Sequence, residues 1–473
     1  MINITLYSTK WPKLSALSPQ NYKFCRSFPN FRYFCNMNRE IFRIAVPNII
    51  SNITVPLMGI FSTAIAGHSG DSAATIGALA IGVSIFNFIY WNCSFIRMGT
   101  SGITAQAFGA KDFITTTAML VRAVGISAVL GLVVLLLQYP LGEFSLWMMN
   151  GNQMVSDYFY ARIWAVPAGI MLFGLNGWFT GMQNAVIPMV TSIFINILHV
   201  LCSLWFVFGL DMGIAGIAYA AVVAQWSGMI LSWILLLIFF RDKLRKVEIS
   251  QVLEMSAMRE FFAVNGDIII RTFCIVAVYT FFTAASARME SDIVLAVNTM
   301  LLQMFTLFSY MNDGFAYAAE ALTGRVIGAK DEASLRLCLR RCVVWAVGTA
   351  VVCIVVYVGW WQDIISMFVG EKSQLPELLA VAGDYIGWVI AIPLAAALPF
   401  LMDGIMVGAT LTRILRNSML VSTLAYFALY YALHPFIGNN ALWLAFTAYM
   451  ALRGVAQYFM SGRLEMVYQK SVG

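Results

Sequence analysis

The tetrapeptide Gly-Ala-Lys-Asp occurs twice in this chain, at 109–112 and at 328–331. Each copy closes a long apolar stretch: Met98-Gly-Thr-Ser-Gly-Ile-Thr-Ala-Gln-Ala-Phe before the first, Tyr317-Ala-Ala-Glu-Ala-Leu-Thr-Gly-Arg-Val-Ile before the second. A shift of 219 residues (109 to 328) lays one stretch on the other and brings Thr104 onto Thr323 and Ile103 onto Leu322. Further along, Phe179-Thr180-Gly181 matches Met406-Val407-Gly408 at a shift of 227, and Pro167 matches Pro393 at 226. The same register sets Asn176 opposite Asp403. A duplicated half in an apolar chain is the sequence trace of two repeats with a substrate path between them.

The chain is 60% hydrophobic and only 11% charged over its 473 residues, where a soluble protein carries roughly 25% charged residues. Apolar runs of about 20 residues recur, each long enough to cross a hydrocarbon core. Alternation at every second residue, which a membrane β-barrel requires, is missing. The reading is an all-α polytopic membrane protein. Twelve spans are expected, near 42–66, 74–108, 116–138, 157–181, 186–209, 213–240, 257–286, 292–327, 334–358, 379–408, 411–434 and 440–462.

Lys and Arg set the expected orientation. Arg241, Lys243, Arg245, Lys246 and Arg259 flank the loop after span six, and Lys330, Arg336, Arg340 and Arg341 the loop after span eight. Lys111, Arg413, Arg416, Arg463 and Lys470 fall on the same side; the opposite loops hold only Arg162, Arg288 and Lys372. The positive-inside bias places both termini in the cytoplasm. Residues 241–256, a charged stretch, divide six spans from six. Each half has an even number of crossings, so the two repeats run in the same sense, about an axis along the membrane normal. The expected organisation is 1–37 as a basic extension, 38–240 as the N-lobe, 241–256 as the inter-lobe loop, 257–465 as the C-lobe and 466–473 as a tail. The extension is either a disordered tail or an upstream over-extension of a chain starting at Met37. Its five basic residues and absence of acids account for most of the formal charge, which falls from +6 to +1 without it. No nucleic-acid partner is implied.

Ionisable groups inside spans carry the functional signal, because a charge at mid-bilayer costs about 2.5–3.5 kcal/mol on insertion scales. The second half holds Asp267, Arg271, Asp313, Glu320 and Asp403; the first has almost none, with Arg97 near the inner end of span two. Asp267 and Arg271, four residues apart, are expected to pair on one helix face. Pro47 and Pro56 in span one each leave a carbonyl without its amide and make a candidate hinge. Phe86, Trp164, Trp178, Met304, Phe305 and Phe308, on repeat-related spans, are offered as an adaptable cavity lining, against the alternative of packing or lipid contact. No phosphate loop, zinc-protease motif or nucleophile elbow occurs, so neither an enzyme nor direct use of ATP is expected. The three histidines and the scattered cysteines, including Cys338 and Cys342, form no evident metal set, and no cofactor is expected.

The run Pro47-Asn-Ile-Ile-Ser-Asn-Ile-Thr-Val-Pro56, the run Arg97 to Gly109, Asn265-Gly-Asp267 with Arg271, Asp313-Gly-Phe-Ala-Tyr-Ala-Ala-Glu320 and Asp403-Gly-Ile-Met-Val-Gly408 together resemble the multidrug and toxic compound extrusion family in its DinF-like branch. The resemblance covers about 38–465 and implies two six-helix lobes in a V-shaped exporter that exchanges protons or sodium for bulky, often cationic, organic compounds. One departure stands out. Where the family pattern has Asp-Thr late in span one, this chain has Ser62-Thr63 before Gly67-His68, and in span five Asn196 is kept while Val200 replaces an acid. Serine does not ionise at physiological pH, which leaves carboxylates only in the C-lobe. Candidate coupling and cavity residues are Asp267, Arg271, Asp313, Glu320, Asp403, Asn265, Asn196, Asn176, Ser62 and Thr63.

The leading expectation is a monomeric inner-membrane antiporter, with H+ or Na+ as coupling ion and a cationic or neutral amphiphile as cargo. An excess of span acids over bases, once Arg271 is paired, favours that cargo. A flippase for lipids or lipid-linked precursors is the alternative, and a non-transporting homologue the third.

Overall fold

The structure, a computed structural model, describes residues 29–68, 72–289, 291–369 and 375–461. The basic residues before 29, the 466–473 tail and Lys372, Arg463 and Lys470 lie outside them. Helix α1 is Pro29–Gly67. Span two is two helices, α2 (Ser72–Cys93) and α3 (Phe95–Gly109), rather than one. After α4 (Phe113–Leu136) comes α5 (Gln138–Met149), a helix not expected from the sequence. Span four is α6 (Gln153–Arg162), a 3-10 turn Ile163–Ala165 and α7 (Val166–Gly181). Pro167 accounts for that break, since it lacks the amide that would bond the Ile163 carbonyl. The N-terminal half ends with α8 (Val186–Leu204), closed by a π-helical turn Trp205–Gly209, and α9 (Gly213–Phe240).

A four-residue helix, α10 (Ile249–Val252), lies in the inter-lobe loop. Arg122 of α4 caps it, donating from Nε to the Val252 carbonyl (3.0 Å) and from Nη2 to that of Gln251 (3.2 Å). Then follow α11 (Met255–Ala287), α12 (Asp292–Gly328), α13 (Glu332–Ser366), α14 (Leu375–Gly408), α15 (Thr412–Ile437) and α16 (Asn439–Ser461). Eleven spans among the described residues are long and apolar enough to cross a membrane. The twelfth, α16, has the length but spends its inner face on Asn439, Arg453 and Gln457, all buried.

The repeat is visible in the packing. A methyl group on Gly109 would overlap the Arg325 carbonyl, and one on Gly328 would overlap that of Gln106; Gln106 and Arg325 are themselves 219 apart. Gly177 sits on the Arg97 carbonyl as Gly404 sits on that of Ala316, and Gly181 on Ser101 as Gly408 on Glu320. Only glycine permits backbones this close. The turns repeat as well. Lys111 and Lys330 have φ of 60° and 57°, Gln183 and Thr410 of 64° and 57°. Asp112 and Asp331 each cap the following helix, accepting from Thr115 N and Ser334 N at 3.0 Å. Both Gly-Ala-Lys-Asp turns therefore lie at one end of the bundle, on one membrane face, and the lobes are closed there.

Helix α1 runs unbroken through both prolines. The carbonyls of Ile44 and Ser51, beside those the prolines free, accept from Asn48 Nδ2 (2.8 Å) and Thr54 Oγ1 (2.7 Å). Its first half (Ile41, Ile44, Ala45) buries in a core with Phe315, Leu322 and Leu401; its end (Ile65, Ala66) joins one with Ala78, Leu79 and Val155. Between them Val55 and Ile60 are 58% and 65% exposed, so the stretch that crosses from one lobe to the other is the least packed. Phe86, Trp178, Met304, Phe305 and Phe308 are core residues at 2% exposure or less rather than cavity lining. Trp164 alone of that set is open, at 51%.

Candidate functional site

Asp313, Tyr317 and Glu320 follow one another at four- and three-residue steps along α12, which puts them on one helix face. Glu320 is buried. Its Oε1 accepts from the Ser101 hydroxyl of α3, and its Oε2 lies 3.7 Å from Arg97 Nη1. Arg97 also stacks 4.2 Å over the Tyr317 ring. Ser101 and Glu320 are repeat-equivalent, so this hydrogen bond crosses the pseudo-two-fold axis and ties one lobe to the other. Asp313 makes no hydrogen bond or ion pair among the described residues. The charges of Arg271, Arg97, Asp403 and Arg453 bear on it.

Asp403, buried in α14, binds two guanidiniums at once, those of Arg271 and Arg453, and accepts from Gln457 Nε2 at 2.6 Å. The expected Asp267–Arg271 pair does not form. Arg271 extends across to α14, while Asp267 accepts from Arg416 Nη1 (2.7 Å) and Thr412 Oγ1 (2.8 Å) at the start of α15. Neighbours on one helix face compete with better-placed groups on adjacent helices, and here the adjacent helices win.

The charge balance also needs correction. Four arginines (Arg97, Arg271, Arg416, Arg453) pair with three carboxylates (Asp267, Glu320, Asp403), and Asp313 brings the acids only to the same number, so this set holds no acid excess. Sequence reading missed Arg453 and Gln457. Their four-residue spacing inside the apolar span 440–462 was the available signal, since two polar groups on one face of a span need buried partners.

The remaining candidates are placed as follows. Asn265 packs on Gly99 of α3, with Nδ2 on the Phe261 carbonyl at 2.7 Å. Asn176 has a buried Oδ1 without a partner. Ser62 is buried and Thr63 exposed. Asn196 Nδ2 reaches the Thr54 carbonyl at 3.4 Å, and Asn52 Nδ2 reaches that of Tyr310 at 3.3 Å. Between its prolines, α1 is thus tied lightly to both lobes. Among the described residues no cluster of three His, Cys, Asp or Glu side chains is set to hold a metal.

Two six-helix repeats closed at one end, with charges buried where they meet, define a polytopic membrane transporter. The chain belongs to the MatE family, whose model matches residues 47–205 and 268–432. It is 33% identical over 430 residues to the DNA damage-inducible protein F of Escherichia coli, covering 90% of this chain and 92% of that one. This places it in the DinF-like branch of the multidrug and toxin extrusion transporters. Protein DETOXIFICATION 44, chloroplastic, of Arabidopsis thaliana is 22% identical over 88% of this chain and 81% of its own. In fold, the Vibrio cholerae MATE transporter VcmN superposes with a TM-score of 0.78 at 16% identity, over 93% of this chain and 98% of that one. A Pyrococcus furiosus transporter of the MOP superfamily gives 0.80 at 15%, over 92% and 97%. Those neighbours share the V-shaped, two-lobed architecture.

Proposed function

We propose that the protein is a secondary active exporter of the inner membrane, taking in protons or sodium ions and moving a bulky cationic or neutral amphiphile outward by alternating access. Both termini face the cytoplasm, because the basic residues at the closed end, Lys111, Lys330, Arg241 and Arg245, then obey the positive-inside bias. The observation that carries the reading is Glu320, a buried carboxylate that holds Ser101 and Arg97 of the opposite lobe. A proton on Glu320 removes the charge that Arg97 faces, and with it part of the attraction that keeps the closed end shut. Asp313, without a partner of its own, is the place for a cationic group or a second proton. Asp403, clamped by two arginines, serves as an anchor for α11, α14 and α16. The lightly packed stretch of α1 between Pro47 and Pro56 is the element that bends when the lobes exchange positions.

The test is efflux of a cationic dye from proteoliposomes, with the proton and the sodium gradient collapsed in turn. Efflux that stops with one of them supports antiport and names the ion; efflux indifferent to both contradicts it. The even count of arginines and carboxylates keeps one second reading, a lipid or lipid-linked-precursor flippase. It predicts that a fluorescent lipid changes leaflet without any ion gradient.

A further inference from the structure

The N-lobe interior holds polar groups that the exporter reading leaves unused. Arg162, at the end of α6, has its guanidinium 5.2 Å over the Phe86 ring and 5.5 Å from the Tyr158 ring, and donates to the Tyr158 hydroxyl. Its Nε is buried and without a partner. Arg97, Arg271, Arg416 and Arg453 each sit on a carboxylate. Arg162 has none: among the described residues of 37–240, no carboxylate side chain is buried.

Three further polar side chains lie on other helices of the same lobe. On α8, His199 is 1% exposed and Ser203 fully buried, one turn apart on one face. His199 Nε2 lies 3.3 Å from the Ile217 carbonyl of α9, an acceptor, so the neutral ring carries its proton there and leaves Nδ1 as a lone pair. Nδ1 and Ser203 Oγ are both buried without partners. From α2 comes Tyr90, packed on Gly169 of α7, with its hydroxyl also buried and unpartnered. The charge of Arg162 bears on both Tyr90 and His199. The lobe thus holds one guanidinium, unpartnered hydroxyls and an imidazole, and among its described residues no buried carboxylate to balance them. An arginine cannot shed its proton, so the half-buried Arg162 keeps its charge with no ion-pair partner among the described residues.

We propose that this pocket binds an anion, the carboxylate of an amphiphilic organic molecule. Arg162 supplies the charge; Tyr90 and Tyr158 donate hydroxyl hydrogen bonds; and the Ser203 hydroxyl donates to the His199 lone pair. The surroundings select an organic carboxylate over a hydrated inorganic ion. Phe86, Phe159 and Ile163 share one apolar core and offer surface to a hydrocarbon but nothing to a hydration shell. The site lies in the other lobe from Asp313 and Glu320, so it stands or falls separately from the coupling scheme.

The measurement is equilibrium binding to the full-length protein in lipid nanodiscs, with benzoate as probe. Benzylamine, benzyl alcohol and sodium chloride are matched cationic, neutral and inorganic comparators. Benzoate is expected to bind saturably. Arg162→Gln should weaken it at least about tenfold, since a charge-assisted hydrogen bond is lost. Arg162→Lys should restore part of the affinity, and Tyr90→Phe, which keeps the ring, should weaken it less than Arg162→Gln. Elution as a monodisperse peak shows that each variant is folded. No saturable benzoate binding, the pocket holding water alone, overturns the proposal. So does equal binding of benzylamine, an unchanged affinity in both Arg162→Gln and Tyr90→Phe, or chloride binding tighter than benzoate.

Discussion

At the closed end the two lobes answer each other residue for residue. Gly109 lies on Arg325 as Gly328 lies on Gln106, and Lys111 and Lys330 make the same left-handed turn before the same aspartate cap. Deeper between the lobes the correspondence ends. Ser101 faces Glu320, Asn176 stands where the other lobe has Asp403, and Arg97 has Ala316 as its counterpart. Backbone contacts are duplicated because closing two halves about an axis needs the same close approach twice. Charges are not, because equivalent positions near a two-fold axis face one another, and a glutamate opposite a glutamate repels where a serine opposite a glutamate bonds. Duplication supplies the scaffold, and divergence of the copies supplies the site.

The contrast predicts unequal costs for removing a buried charge. Asp403→Leu leaves Arg271 and Arg453 buried without a counter-ion and should destabilise by about 3–5 kcal/mol, read as a fall in the melting midpoint of the purified protein. Arg162→Met removes a charge that has no acid partner and should not lower that midpoint. Equal losses would mean that the two interiors are less different than their charges suggest.

At the symmetric end the effects should match. Gly109→Val and Gly328→Val each push a side chain into opposing backbone, an overpacking of typically about 1–3 kcal/mol, and both should open the closed end. A cysteine pair at Gln183 and Ala321, whose side chain and carbonyl are now hydrogen-bonded at 2.7 Å, reports it as slower cross-linking. A large effect from one substitution and none from the other would break the symmetry.

The smallest effects belong to the caps. Asp112→Ala and Asp331→Ala should each cost about 1 kcal/mol. Hydrogen bonds from the Ser334 hydroxyl and amide hold the Asp331 carboxyl below its ordinary value. Burial pushes that of Asp112 up, but bonds from Thr115 and the Ile114 amide outweigh it, and the net direction is also down. A lowered folded-state value means that the stabilisation is complete above the unfolded value of about 3.9 and is lost as pH falls through the lower, folded one. Melting followed from pH 6 downward should therefore show both wild-type caps failing only in that acid window, while both alanine variants lack the step.

Much of the scaffold was legible in the chain. Apolar runs and paired Gly-Ala-Lys-Asp turns are local features, and each marks a span or a turn on its own. The break before Pro167 was also visible in principle, because proline's missing amide is a sequence fact. The site was less legible. Asp267 and Arg271 satisfy every local rule for a pair, yet each found a partner on another helix, and tertiary neighbours are not written in spacing. Arg453 and Gln457 were overlooked because α16 reads as one more apolar span until its polar face is counted. The proposed Arg162 site draws on residues 90, 158, 199 and 203, none of which stands out in the sequence.

The central claim is that gradient coupling resides in C-lobe carboxylates that the N-lobe lacks. Its most direct test is counterflow and gradient-driven efflux in proteoliposomes for the double variant Asp313→Asn, Glu320→Gln, at equal protein abundance. Asp403 is left intact so that the arginine clamp holds. The account predicts that the variant still exchanges dye down its own gradient but no longer accumulates it against one when a proton or sodium gradient is imposed. A double variant that couples export to the gradient as the wild type does would contradict it.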